Sequence, residues 1–396
     1  MKILAIDVGT GTQDILLYDS RLDLENSFKL ILPSPTMIAH RRIKAATERG
    51  APILLTGYQM GGGPSAWAAE AHARAGLQVY ATPEAATTLN DDLEKVEAAG
   101  IRVVSEDEAA SLPASVERVP FGDLELEAIR RAFAAFGVGL EDLDAIAVAV
   151  FDHGNAPPGV SDRQFRFDYL DRQIRAHNSL AAFAFRSEDI PPIMTRLRSV
   201  AESAGTLDCP LIVMDTAPAA VLGATFDPLV SGRGRKIIVN VGNFHTLAFR
   251  LGEGGIEGVF EHHTGEIDLP RLETLLRALA DGSLRNEDVF NDMGHGALVY
   301  AQEPLQFGAD EFDIAVTGPR RSMFAGRESR SENRHSSGEG PGELRPYFAV
   351  PFGDMMIAGC FGLLAATAEV LPEMGEEIRL SLGGKGRGRA PWEVVW

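Results

Sequence analysis

MKILAIDVGTGTQDILLYD, residues 1–19, decides how this chain is read. An apolar run from Ile3 to Ile6 reads as a strand, Asp7 stands where it ends, and Gly9 and Gly11 permit a tight turn into a second strand. Such a turn can offer backbone N–H groups and the hydroxyls of Thr10 and Thr12 to phosphoryl oxygens, with Asp7 holding a magnesium ion through water. An ordinary glycine-rich hairpin has the same pattern, because short glycine motifs recur by chance.

The pattern recurs half a chain later. IIVNVGNFHTLAFRL, residues 237–251, again gives an apolar strand, a polar residue (Asn240), a glycine (Gly242), a polar turn reaching Thr246, and an outgoing strand. Two such units predict two like-folded lobes facing one cleft. With what lies between and after them, the pair resembles the actin, Hsp70 and sugar-kinase superfamily. The whole chain also resembles an archaeal and bacterial family catalogued as pyruvate formate-lyase activating enzymes.

The resemblance implies an α/β protein of two actin-like (ribonuclease H-like) lobes that binds magnesium-ATP between them and acts on its terminal phosphate. Gly9, Thr10, Gly11 and Thr12 are then the first phosphate loop, and Gly242, Asn243 and Thr246 the second. Asp7 is then the expected metal carboxylate; Asp14, a carboxylate that most relatives lack, either orders magnesium with it or opposes the nucleotide's negative charge. Asp215 closes the strand LIVMD before TAPAAVLGA. There Asp215, Ala217, Ala219, Ala220 and Gly223 resemble the run that carries the base of carbohydrate kinases, although Val213 and Met214 replace its glycines. An N-cap Asp has the same sequence appearance. In AVFDHG, Asp152 and His153 match only the final His-Gly of the sugar-kinase substrate motif and are expected to contact substrate. Gly318, in FDIAVTGPRR, falls where the superfamily brings adenine against backbone, with Pro319 in place of a second glycine.

Composition limits the partners. With 37 basic and 56 acidic residues the formal charge is -19, which disfavours nucleic acid and anionic membrane surfaces. No apolar run reaches the length of a membrane span, and a cytoplasmic protein acting on a small molecule is expected. Cys209 and Cys360 are the only cysteines. A radical activating enzyme needs a cysteine triad for its iron–sulfur cluster, so the catalogued activity does not fit. Nine histidines are present. His245, His262, His263 and His295, brought together with His153, would suit a transition metal, but no His-Glu-x-x-His pattern occurs. Adjacent His262 and His263 point to opposite sheet faces, so at most one joins any site.

The expected organisation is a first lobe over residues 1–205, a second over 206–350, and a connecting helix and tail over 351–396. Residues 51–110 read as two strand–helix units forming a Rossmann-like addition. In it, Gly61, Gly62 and Gly63 precede a helix start at Pro64, a place for an anion or a plain strand-to-helix turn. Residues 125–137 read as an amphipathic helix burying Leu126, Ile129, Phe133 and Phe136, and 326–345 as a solvated polar excursion. A small-molecule kinase is the leading expectation. An ATPase coupled to a protein partner or metal centre, a non-catalytic nucleotide-binding protein suggested by Asn240 and Pro319, and a histidine-dependent metallohydrolase are the alternatives.

Overall fold

The computed structural model describes residues 1–325, 343–384 and 389–394. The chain opens with β1 (Lys2–Val8), β2 (Thr12–Asp19) and β3 (Phe28–Pro33). An inserted unit follows with β4 (Ile53–Gly57), β5 (Val79–Ala81), β6 (Ile101–Val103) and β7 (Glu117–Phe121). The chain then returns through β8 (Ala145–Val150), β9 (Ala184–Arg186) and β10 (Leu211–Asp215). A second half carries β11 (Lys236–Val241), β12 (His245–Gly252), β13 (Gly255–His263), β14 (Gly296–Val299), β15 (Ile314–Thr317) and β16 (Pro346–Phe348).

The first sheet has the order β3-β2-β1-β8-β10-β9 and the second β14-β13-β12-β11-β15-β16. In each, two antiparallel hairpins are followed by a parallel strand beside the first strand of the half. The core order is therefore one and the same in both halves, third-second-first-fourth-fifth. This is the two-lobed α/β architecture expected of the actin-like fold. The insertion is a separate all-parallel sheet, β6-β5-β4-β7, which runs on to Phe121.

Alternation along β1 explains why its apolar run is continuous. Ile3 and Ala5 face a core completed by Cys360, Phe361 and Leu364, while Leu4 and Ile6 face one completed by Ile129, Phe133 and Leu197. A strand covered on both faces has no solvent side to keep polar. The second-lobe core gathers Val239, Phe260, Leu272, Leu276 and Leu279 around the helix Leu269–Asp281.

Two expectations need correction. The lobe boundary does not fall at 205/206, because β10 pairs in parallel with β8 from Leu211↔Ile146 to Asp215↔Val150 and belongs to the first sheet. Phe136 is 81% exposed, since its helix ends at Ala134 and does not carry the stripe another turn. Of the polar stretch 326–345, residues 326–342 lie outside the described residues.

The apolar helix Ala358–Val370 crosses the helix Thr216–Ala224 with backbone against backbone. A Cβ on Gly223 would overlap the carbonyl oxygen of Ala358, and one on Gly362 would overlap that of Ala219. Because backbone cannot retreat as a flexible side chain can, Gly223→Ala should lower stability by about 1–3 kcal/mol, read as a reduced urea midpoint. A midpoint equal to that of the unaltered chain would contradict this packing.

Candidate functional site

The ladder β1–β2 ends at Val8↔Gln13 and β11–β12 ends at Val241↔Thr246, so each hairpin is joined by four residues. The turns close alike: the amide of Gly9 donates to the carbonyl of Thr12 at 2.9 Å, and that of Gly242 to the carbonyl of His245 at 2.9 Å. Residues 9–12 and 242–245 are thus equivalent, and both turns line one cavity of about 860 Å³ between the lobes. They also touch, since a Cβ on Gly11 would come within 2.7 Å of Asn243 Nδ2.

Gly9, Thr10, Gly11, Thr12, Gly242, Asn243, Gly318, Asp7 and Asp14 all border the cavity. Thr246 does not. It is fully buried, its hydroxyl 3.0 Å from that of Thr264, which in turn donates to the carbonyl of Gly242. By turn equivalence Thr246 matches Gln13, and side chains alternate along a strand; the cavity-facing pairs are Thr12 with Asp14 and His245 with Leu247. Gly318 has φ +98°, and a Cβ there would overlap Asn240 Oδ1 and the carbonyl of Val241, so its glycine serves close approach to the second turn. Gly61, Gly62 and Gly63 line the cavity too, and Gly63 (φ +68°) leaves room for the Phe244 ring.

Register sets Asp7 opposite Asp14 across the hairpin, so both carboxylates lie on one face. Asp7 Oδ1 accepts a hydrogen bond from Thr216 Oγ1 at 2.6 Å, and Gly359 leaves space for Oδ2. Burial pushes Asp7 up to about 6, with the Asp215 charge adding to it and the Thr216 hydroxyl opposing. Burial and the neighbouring Asp7 push Asp14 up to about 8 against the Thr12 hydroxyl. Asp14 Oδ1 is buried without a hydrogen-bond partner among the described residues. Two adjacent carboxylates with an unsatisfied buried oxygen fit a hard divalent cation such as magnesium.

In the metal-free protein this pair dictates a pH dependence. A folded-state pKa of about 8 for Asp14 lies above its unfolded value of 3.8, so the folded chain binds the extra proton between them. Stability is then greatest on the acid side and is lost as pH rises through 8. Thermal midpoints in chelator are expected to fall between pH 5 and 8, and added magnesium to restore them most at the alkaline end. A midpoint rising over that interval would contradict the assignment.

Asp215, expected as the base, is engaged by the fold. It is absent from the cavity wall; Oδ1 caps the helix Thr216–Ala224 by accepting from the Ala217 amide at 2.9 Å, and Oδ2 accepts from Arg166 Nη1 at 2.7 Å. Arg166 is fully buried and also bonds Glu261 Oε2 through Nε at 2.7 Å and the carbonyl of Asp152 at 2.9 Å. Burial works against the charge on Arg166, but Asp215 and Glu261 outweigh it and keep the guanidinium firmly protonated. Asp152 is likewise engaged, its two oxygens accepting from the amides of Gly154 and Leu197 at 2.8 and 2.9 Å. His153 remains at the cavity, with Asp91 and Asp162 close enough that one ligand atom from each lies within 4.8 Å of the others.

The sequence reading missed Arg166, Thr216, Asp91 and Asp162. Arg166 left one signal: with Leu170 and Ile174 it forms the buried i, i+4, i+8 line of the helix Asp162–His177, a place where charge is rare.

Residues 60–323 match the family described as "Putative pyruvate format-lyase activating enzyme (DUF1786)". The chain belongs to this family. No curated protein matches it. Among solved structures it is similar to a ROK hexokinase from Thermus thermophilus at 15% identity and TM-score 0.23, covering 73% of this chain and 63% of that one. It is also similar to a ROK family transcriptional regulator, a homolog of the E. coli MLC protein, at 8% identity and TM-score 0.21, covering 64% and 37%. An exopolyphosphatase-like protein follows at 9% identity and TM-score 0.19, covering 66% and 50%. The chain spans less than two thirds of the length of each of these. As for the activity in the family's description, Cys360 is buried with its thiol against the carbonyls of Ala5 and Asp14, and Cys209 is half-buried elsewhere. Two cysteines so placed do not fit the thiolate set of a radical activating enzyme.

No helix among the described residues is long and apolar enough to cross a membrane.

Proposed function

We propose that this chain binds magnesium-ATP in the cleft between its lobes and transfers the terminal phosphate to a small molecule in the cytoplasm. One observation carries the reading: two turns of equal length, closed by the same hydrogen bond, line a single cavity and approach to contact. The amides and hydroxyls of Gly9 to Thr12 on one wall, and Gly242 with Asn243 on the other, would hold the phosphate tail. Asp7 and Asp14 would hold magnesium, which when bound offsets charge on the transferring phosphoryl group. Gly318 and Pro319 border the same space, where the base of the nucleotide would lie.

With Asp215 occupied by its cap and by Arg166, and Asp7 and Asp14 assigned to the metal, His153 is the cavity-lining group we assign as base. It would accept the proton of an attacking hydroxyl, with Asp91 or Asp162 steadying the ring. A screen of small alcohols and acids for acceptor-dependent ADP formation tests this. His153→Asn should lower acceptor-dependent turnover by about 10²-fold or more, while Asp215→Asn should keep most activity per folded molecule. The reverse ranking would return the role of base to Asp215. The same occupation of Asp215 favours a second reading, ATP hydrolysis coupled to a protein partner, for which ADP release would respond to that partner and to no small acceptor.

A further inference from the structure

Three histidines far apart in sequence meet at one end of the second sheet. His245 opens β12 and lies opposite His263, which closes β13; the amide of His295, just before β14, donates to the Glu261 carbonyl at 2.8 Å. Ring centroids are 4.9 Å apart for His245 and His295, 4.7 Å for His263 and His295, and 5.2 Å for His245 and His263. One ring nitrogen from each lies within 4.8 Å of the others. Glu261 shares the face of His263, being two residues before it. Its Oε1 stands 2.9 Å from His295 Nδ1 and its Oε2 is held by Arg166, and Nε2 of His295 has no hydrogen-bond partner among the described residues. Phe151 stacks on His245 at 4.2 Å and fixes that ring.

His262 shows the contrast. On the opposite face of β13 it is fully buried, and its two nitrogens contact the carbonyls of His263 and Asp292 at 3.0 and 2.7 Å. That is a histidine satisfied by its fold. His245 and His263 have no ring hydrogen bond to protein among the described residues, although the first is half-buried and the second faces it directly.

We propose that His245, His263 and His295 bind one divalent transition-metal ion of the zinc class, with Glu261 orienting His295. Three imidazoles suit zinc, cobalt, nickel or copper and not magnesium or calcium, which take oxygen. A tetrahedral ion with nitrogens at about 2.0–2.1 Å sets its donors roughly 3.3 Å apart, so modest ring rotations close the trio. The carboxylate behind His295 matches the outer partner that metal-bound histidines use to fix tautomer and orientation. Only His245 of the three lines the large cavity, which places the ion at the cavity wall and leaves a fourth position for water or a substrate oxygen.

This site is independent of the nucleotide reading, and its test needs no turnover. Tag-free full-length protein, stripped with chelator, is titrated with cobalt(II) alone and followed by visible absorption and calorimetry. One equivalent with four- or five-coordinate absorption, displaced by zinc, is expected. His263→Gln, at a half-buried position, should weaken binding at least tenfold with the circular dichroism spectrum unchanged, and Glu261→Gln should weaken it by about 10–100-fold. His153→Ala should leave it intact. No cobalt spectrum, binding unaffected by a folded His263→Gln, or loss on His153→Ala instead would each overturn the proposal, the last by moving the ion to Asp91, His153 and Asp162.

Discussion

Arg166→Met is expected to lower the unfolding free energy by about 3–5 kcal/mol, measured by urea denaturation. The guanidinium comes from a helix of the first lobe and bonds Asp215 on β10 and Glu261 on β13, so it joins the two lobes below the cavity. It also lies over the Phe151 ring at 4.1 Å from the centroid. Methionine fills much of the same volume, but it leaves two buried carboxylates without their counter-charge. The loss comes from those stranded charges, since an intact buried pair offers little over apolar packing. The triple change Arg166→Met with Asp215→Asn and Glu261→Gln should therefore recover part of the loss. A single variant within about 0.5 kcal/mol of the parent would show that the three groups do not interact as described.

Asp7→Asn should reduce magnesium-dependent ATP turnover by about 10²-fold or more while leaving the fold intact. The amide can still accept from Thr216 Oγ1, but it cannot supply charge to a cation. Removing the charge also relieves Asp14, which Asp7 helps push up to about 8. The variant's thermal midpoint in chelator should thus match or exceed that of the parent near pH 8, with the rescue by magnesium diminished. Loss of turnover accompanied by a falling midpoint would point to a structural role for Asp7 instead.

The architecture was legible because it is written locally. Ile3 to Ile6 and Ile237 to Val239 are covered on both faces, and each strand leads within two residues to a glycine turn, so the repeat appears in a single pass along the chain. What failed depended on side-chain parity or on distant partners. Thr246 missed the cavity by one residue, which in a strand means the opposite face. Asp215 has the same sequence appearance as base and as cap, and its second partner, Arg166, lies 49 residues away where no local pattern reports it. The histidine trio depends on the register of β12 on β13, which shifts at Arg250/Leu251, and no spacing rule reports a shifted register.

Calorimetric titration of a nonhydrolysable ATP analogue with magnesium into the parent, Gly11→Val and Gly242→Val proteins tests the central claim most directly. A valine at Gly11 intrudes on Asn243 of the opposite turn, and one at Gly242 on the His245 carbonyl of its own turn. If one triphosphate is held from both walls, the parent binds a single equivalent and each variant, still folded, loses that binding. Absence of binding in the parent, or binding that survives both substitutions, would contradict it.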